Sequence, residues 1–417
     1  MSDDKIFSLE GKSLKLDSAE DIRPHIEALK NNDNVEEVRF QGNTLGVGAC
    51  EALAEVLKTK KDLKVAKLDD IFTGRLLNEI PQALDALLQA LLTLPKLHTV
   101  NLNDNAFGLN TQAPLVAFIS KHTPLEHLIL NNNGLGPHAG VLIADALTEL
   151  AKKKKEVGAP PLRTVICGRN RLENGSMEAW AKAFAAHNQV THIKMVQNGI
   201  RQEGITRLIT SGLVNLNELQ VLDLQDNTFT IMGARALAKV MPTWTELTEL
   251  GVGDCLLGAR GGVLLGQSLA AGKNSSIEVL RLQYNDITSK GVEALSSALD
   301  KLPSLRRVEL NGNKFSEDDE HIEKIRGALD AMKEKKGIED DEDENYGLDE
   351  LDELESEDEE EEEEEEAAEA EEEADEEKEK EERVLKQADE AEAANVSEKK
   401  DKDVDELADI LGKTEIK

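Results

Sequence analysis

One eleven-residue phrase recurs along the chain, and it constrains the fold more than any other feature. It reads apolar, two spacers, apolar, one spacer, apolar, two spacers, asparagine or a substitute, one spacer, apolar. Copies include "VEEVRFQGNTL", "LHTVNLNDNAF", "LEHLILNNNGL", "LQVLDLQDNTF", "IEVLRLQYNDI" and "LRRVELNGNKF". The second apolar anchors are Val38, Ala66, Val100, Leu128, Val165, Ile193, Leu222, Leu250, Leu280 and Val308, spaced by 28, 34, 28, 37, 28, 29, 28, 30 and 28 residues. A near-fixed period of this length means a stacked array, in which no unit buries its apolar face alone.

The phrase is the leucine-rich-repeat pattern in its long form of about 28 residues. Alternation of period two around Leu128 and Leu130 gives a short strand with both side chains inward. Between phrases lie segments such as "GACEALAEVLKTKK" and "GVEALSSALDKL", apolar at every third or fourth residue, which predict helices. The expected fold is therefore α/β: a curved solenoid of ribonuclease-inhibitor-like long repeats with a parallel sheet on the concave face. About eleven repeats fill residues 1–337, the first a degenerate capping copy in "FSLEGKSL". Residues 338–417 form an acidic low-complexity tail, expected to be mostly disordered.

The triplet Asn131-Asn132-Asn133 divides by position. Asn133 shares its repeat position with Asn43, Asn105, Asn170, Asn198, Asn227, Asn285 and Asn313. There an inward amide, both donor and acceptor, satisfies turning backbone. Cys255 takes the same position and is expected to be structural. Asn131 continues the outward alternation of the strand. Asn132 falls on the rim where the strand ends, and the repeat pattern gives no reason for an amide there. A solvated loop residue and a functional amide both fit.

Two intervals are long. The 37-residue interval ends a helix with "AKKKKEVGAPP", expected to be a solvated, basic helix end on the side away from the rim. In the 34-residue interval Pro81, suited to a first helical turn, comes late. The extra residues "IFTGRLLNE" lengthen the rim loop and carry Arg75 beside Gly74, and Ile71 replaces the inward asparagine. Arg75 and Asn132 belong to units two apart, so their rim positions should lie roughly 10 Å apart. A long loop in a regular array points to function.

The chemistry of a self-contained active site is missing. No G-x-x-x-x-G-K-[ST] loop and no G-x-S-x-G elbow occurs. His122 and His127 have no partner at zinc spacing. Cys50, Cys167 and Cys255 are too few for a disulfide framework. No stretch approaches a membrane span of about 18 apolar residues, and the N-terminus has no signal-peptide core. The net charge of −35 is uneven: the last 80 residues hold 41 acidic and 9 basic side chains. Such a polyanion argues against nucleic acid and suits a basic protein partner.

Runs beyond the generic repeat carry a resemblance. "DDIFTGRLLNEIP", "HTPLEHLILNNNGLGP", "LRTVICGRNRLENGSM", "VQNGI", "VLDLQDNTFT" and "LRLQYN" resemble the Ran GTPase-activating proteins of fungal type over nearly the whole chain. The resemblance implies a monomeric activator of the small GTPase Ran in its GTP form, acting alone or with a Ran-binding protein. GTP and Mg²⁺ are carried by the partner, and this chain has no cofactor of its own. It implies a cytoplasmic protein, including the outer face of the nuclear envelope.

It also implies roles for two residues. Arg75, the arginine of the "FTGR" loop, would be required while staying outside the nucleotide site. Asn132 would contact the catalytic glutamine of the partner. The lysine that some members carry soon after that arginine is replaced by Leu76 and Leu77. Asn131, Arg169, Lys194, Gln197, Asp226, Gln283 and Tyr284 are further partner contacts by position.

The tail is either a solubilising segment or an electrostatic tether to a basic partner surface. "VDELADIL" at 404–411 spaces its apolar residues on one helical face, as an export signal or docking helix would. Two rivals remain. One is a non-catalytic binding or inhibitor module of ribonuclease-inhibitor type. The other is an acidic-tailed leucine-rich regulator, whose shorter repeats the 28-residue period disfavours.

Overall fold

The computed structural model describes residues 5–108, 111–338 and 345–351. Every anchor of the repeat lies in a short strand, and each is at most 1% exposed. The strands join in sequence order into one twelve-stranded parallel sheet, from Ile6–Ser8 to Gly347–Leu348. Anchors stand opposite anchors: Val38 pairs with Ala66, Val100 with Leu128, Leu222 with Leu250 and Leu280 with Val308. A parallel sheet needs a crossover between strands, and the amphipathic segments supply it as helices packed along one face. Helices need about 8–10 Å between axes and strands about 4.8 Å, so the stack bends with the sheet inside.

The degenerate first copy does join the sheet, with Phe7 opposite Val38. At the other end the folded part extends past residue 337. Gly347 and Leu348 add a last strand to Arg307–Glu309. The Asp349 carboxylate accepts from the backbone N–H groups of Leu310 (2.7 Å) and Asn311 (2.9 Å), covering donors that a sheet edge would leave open. The rest of the acidic tail, including 404–411, lies outside the described residues.

Two rows of side chains knit neighbouring repeats. Along the strand ends runs the expected asparagine ladder. Fully buried Asn133 donates from Nδ2 to the carbonyls of Leu102 and Leu130, and its Oδ1 accepts from the Asn105 N–H. Asn105, Asn170, Asn198, Asn227, Asn285 and Asn313 repeat this arrangement with their own neighbours. Cys255 fills the same slot with its thiol against the Leu224 and Gly253 carbonyls, and burial pushes that thiol up to about 12, so it is no nucleophile.

The second row lies at the opposite ends of the strands, three residues before the first apolar position of a phrase. Lys60 donates to the Lys30 and Asn32 carbonyls, His122 to Leu97, His187 to Leu147, Trp244 to Leu213, and Asn274 to Met241 and Trp244. Four different residue types do one job at these five positions, which hides it from a search for sequence identity. In the unit after Leu128 the row position is Ala159, and a lysine of the basic run supplies the donor instead. Its helix, Gly136–Val157, ends at left-handed Gly158, and Lys154 is buried, donating to Thr123 and Pro160 carbonyls. The expectation of a wholly solvated helix end therefore fails at Lys154, because the carbonyls beneath it need a donor.

Candidate functional site

Beyond each strand the chain makes one more inter-repeat bond and then turns. The residue before each ladder position donates its N–H to the next repeat: Asp104 to Asn131, Asn132 to Gly168, Arg169 to Val196, Gln197 to Gln225 and Tyr284 to Asn311. After that bond the backbone must swing inward, and it does so in the left-handed conformation at every such position. Gly42, Asp70, Asp104, Asn132, Arg169, Gln197, Asp226, Asp254, Tyr284 and Gly312 all have φ between 47° and 73°. Asparagine, aspartate and glycine adopt this conformation at least cost. The fold therefore does supply a reason for Asn132, contrary to the sequence reading. The positions it does not suit are Arg169, Gln197 and Tyr284, where a long or bulky side chain bears a strain of about 1 kcal/mol or more.

The three asparagines thus have three jobs. Asn133 belongs to the ladder. Asn131, expected to face outward as a contact, is half-buried: its Oδ1 accepts from the Gly168 N–H, and its own N–H donates to Asn103 Oδ1 at 2.6 Å. It ties the strand end to both neighbours. Asn132 is exposed, with φ of 54°, and its Nδ2 donates to Asp104 Oδ1 at 2.8 Å. Its Oδ1 has no hydrogen-bond partner among the described residues.

A groove of about 590 Å³ opens along this rim. Four of the expected contacts line it together: Asn132, Arg169, Gln197 and Asp226. Arg171, Glu173, Asp254 and Leu256 line it too, and the repeat pattern did not single them out. For Asp254 the signal was present, since it stands one residue before the ladder position of its own phrase, as Asn132 does.

Lys194 and Gln283 lie instead on the open face of the sheet. Lys194 pairs with Glu249 at 3.3 Å, and Arg281 bonds the same carboxylate. Burial alone would raise Glu249, but Arg281 and Lys194 together hold it below its ordinary value. Gln283 donates to Gln225 at 2.7 Å and fills the space that the missing side chain of Gly253 leaves. Tyr284, 44% exposed, lays its ring over Gly312 at the far end of the rim.

The long rim loop is anchored by buried Ile71 and Phe72; Ile71 takes the amide of Asn105 as its N–H acceptor. Gly74 adopts φ of 79°, the chain turns at Arg75, and the helix Ile80–Leu91 starts with Pro81 in its first turn, as expected. Leu76 and Leu77 project outward, 65% and 63% exposed.

Arg75 does not project. Its Nε donates to Thr44 Oγ1 at 2.8 Å, one terminal nitrogen to the Thr44 carbonyl at 2.8 Å, and the other pairs with Asp17. Only 9% of the side chain is exposed. Gly46 makes room: a side chain there would stand 2.5 Å from the Asp17 carbonyl and 3.1 Å from the guanidinium. The arginine therefore leans towards the N-terminal repeats. Its guanidinium lies beside Thr44, three strands from Asn132, about 14 Å at 4.8 Å per strand rather than the 10 Å expected. Both groups remain on the edge formed by the C-terminal strand ends. A G domain roughly 30–40 Å across could span them.

No helix among the described residues is long and apolar enough to cross a membrane. The family model for the leucine-rich repeat matches residues 273–296. The chain is 23% identical to pig ribonuclease inhibitor over 297 residues, covering 71% of this chain and 61% of the inhibitor. It is 34% identical over 316 residues to the Ran GTPase-activating protein of Drosophila melanogaster, covering 75% of this chain and 53% of that one. Over 339 residues it is 39% identical to Ran GTPase-activating protein 1 of Saccharomyces cerevisiae, covering 79% of this chain and 83% of the relative. At that identity and coverage, the chain belongs to the family of Ran GTPase-activating proteins.

Proposed function

We propose that this chain accelerates GTP hydrolysis on a Ran-type GTPase in its GTP form, docking it along the rim formed by the strand ends. Hydrolysis is completed on the partner, which brings the nucleotide, the magnesium and the glutamine that orients water. The rim supplies Asn132, whose amide steadies that glutamine. The observation that carries this reading is the direction of the two side chains. The Arg75 guanidinium is tied to Asp17 and Thr44 and is almost wholly buried, whereas the Asn132 amide stands open to solvent. An arginine finger would have to break both hydrogen bonds to Thr44 and abandon the ion pair with Asp17 to reach a phosphoryl group.

Arg75 then acts by holding the rim loop, with Leu76 and Leu77 at its tip, against the first two repeats. Small-GTPase activators raise hydrolysis by about 10³- to 10⁵-fold, roughly 4 to 7 kcal/mol of barrier. Single-turnover hydrolysis on GTP-loaded Ran, with and without this protein, tests the reading. We expect strong activation, near-complete loss in Arg75→Ala and a large loss in Asn132→Ala. Full activity in both variants would remove both residues from the mechanism, and no activation at all would return the chain to the class of pure binding modules.

A further inference from the structure

The Asn132 amide is not free to present either end. Its Nδ2 donates to Asp104 Oδ1 at 2.8 Å. A carboxylate accepts hydrogen bonds and has none to donate, so the NH₂ group must face Asp104 and the carbonyl oxygen must face solvent. Asp104 belongs to the preceding repeat and occupies the equivalent left-handed position, with φ of 60°, while its backbone N–H is fixed to the Asn131 carbonyl at 3.0 Å. Both ends of this contact are thus held by the strand-end turns of adjacent repeats.

From this we infer that Asp104 is a positioning residue: it locks the Asn132 carboxamide with its oxygen outward, so that the rim offers the partner an acceptor. The inference rests on the proposed role of Asn132. An outward acceptor selects the NH₂ end of the partner's glutamine. That glutamine's own oxygen is then left to accept from the attacking water, which is the orientation hydrolysis needs. Without the carboxylate the amide turns over freely, and the wrong face would bring NH₂ against NH₂. Docking excludes water from the contact and strengthens it, because a charge-assisted bond gains in a drier setting.

The test uses Asp104→Gly. Glycine stands at the same left-handed position at Gly42 and Gly312, so the substitution removes the carboxylate without straining the turn. Single-turnover hydrolysis on GTP-loaded Ran is measured at saturating full-length protein, and affinity is measured on Ran loaded with a non-hydrolysable GTP analogue. Asp104→Gly should lower the saturating rate about tenfold, as expected for losing one charge-assisted bond, and leave Kd within about twofold. In an Asn132→Gly background the same change should have no further effect. An unchanged rate, a loss confined to Kd, or a loss that adds in full to that of Asn132→Gly would overturn the inference. Were Asn132→Gly itself as active as the unmodified chain, the role of Asn132 would fail first and this inference with it.

Discussion

Asn132 combines a left-handed backbone turn with an exposed amide, and substitution can separate the two. Asn132→Gly keeps the left-handed turn and removes the amide, whereas Asn132→Ala also strains the turn by about 1 kcal/mol. If the amide is the functional group, both variants should lose hydrolysis by a similar factor, on the order of 100-fold in single turnover. Only Asn132→Ala should also melt earlier. A Gly variant with full activity would show that the turn alone matters. For Arg75, substitution by lysine keeps the charge but loses the fork that bonds Thr44 and Asp17 together. Arg75→Lys should therefore fail nearly as badly as Arg75→Ala, and recovery of activity by lysine would point to charge rather than loop anchoring.

At the scale of the repeat element, stability rests on the two inter-repeat rows. Asn133→Ala strips the Asn105 N–H and the Leu102 and Leu130 carbonyls of a buried partner, and should cost about 2–4 kcal/mol in chemical denaturation. The histidines of the opposite row set a pH dependence. Burial holds His122 and His187 down at about 4, against an ordinary 6.5, with neighbouring Lys154 acting in the same direction. Between those values the unfolded chain takes up protons that the folded chain refuses. Their contribution is therefore complete above pH 6.5 and is lost as the pH falls towards 4, on the order of 3 kcal/mol for each histidine. Replacing both by asparagine, the donor that Asn274 already supplies in a later repeat, should flatten the denaturation midpoint over that range. A midpoint equally steep in the variant would assign the acid sensitivity elsewhere.

On the scale of the whole molecule, the end of the fold and the charge of the tail are separate matters. Truncation after residue 351 keeps the last strand and Asp349; truncation after 337 removes both and exposes the edge of Arg307–Glu309. The shorter chain should unfold about 2–3 kcal/mol more easily than the longer. Equal stability would mean that the added strand closes nothing. Loss of the acidic residues after 351 should leave the saturating hydrolysis rate intact and slow association more at low salt than at high salt. A slowing independent of ionic strength would rule out an electrostatic tether.

The sequence by itself determined the register: ten anchors at a near-fixed period, each with an inward asparagine or its substitute, leave one way to stack. It also marked Arg75 and Asn132 by an inserted loop and by an amide outside the ladder. What it left open was direction. The left-handed turn at Asn132 arises from a hydrogen bond to Gly168, 36 residues on, and its amide orientation from Asp104, 28 residues back. Arg75 leans inward because Asp17 and Thr44, 58 and 31 residues away, meet it beside a glycine. A repeat pattern records what each unit shares with the next; where a side chain points depends on what differs between them, and only stacking brings those differences into contact.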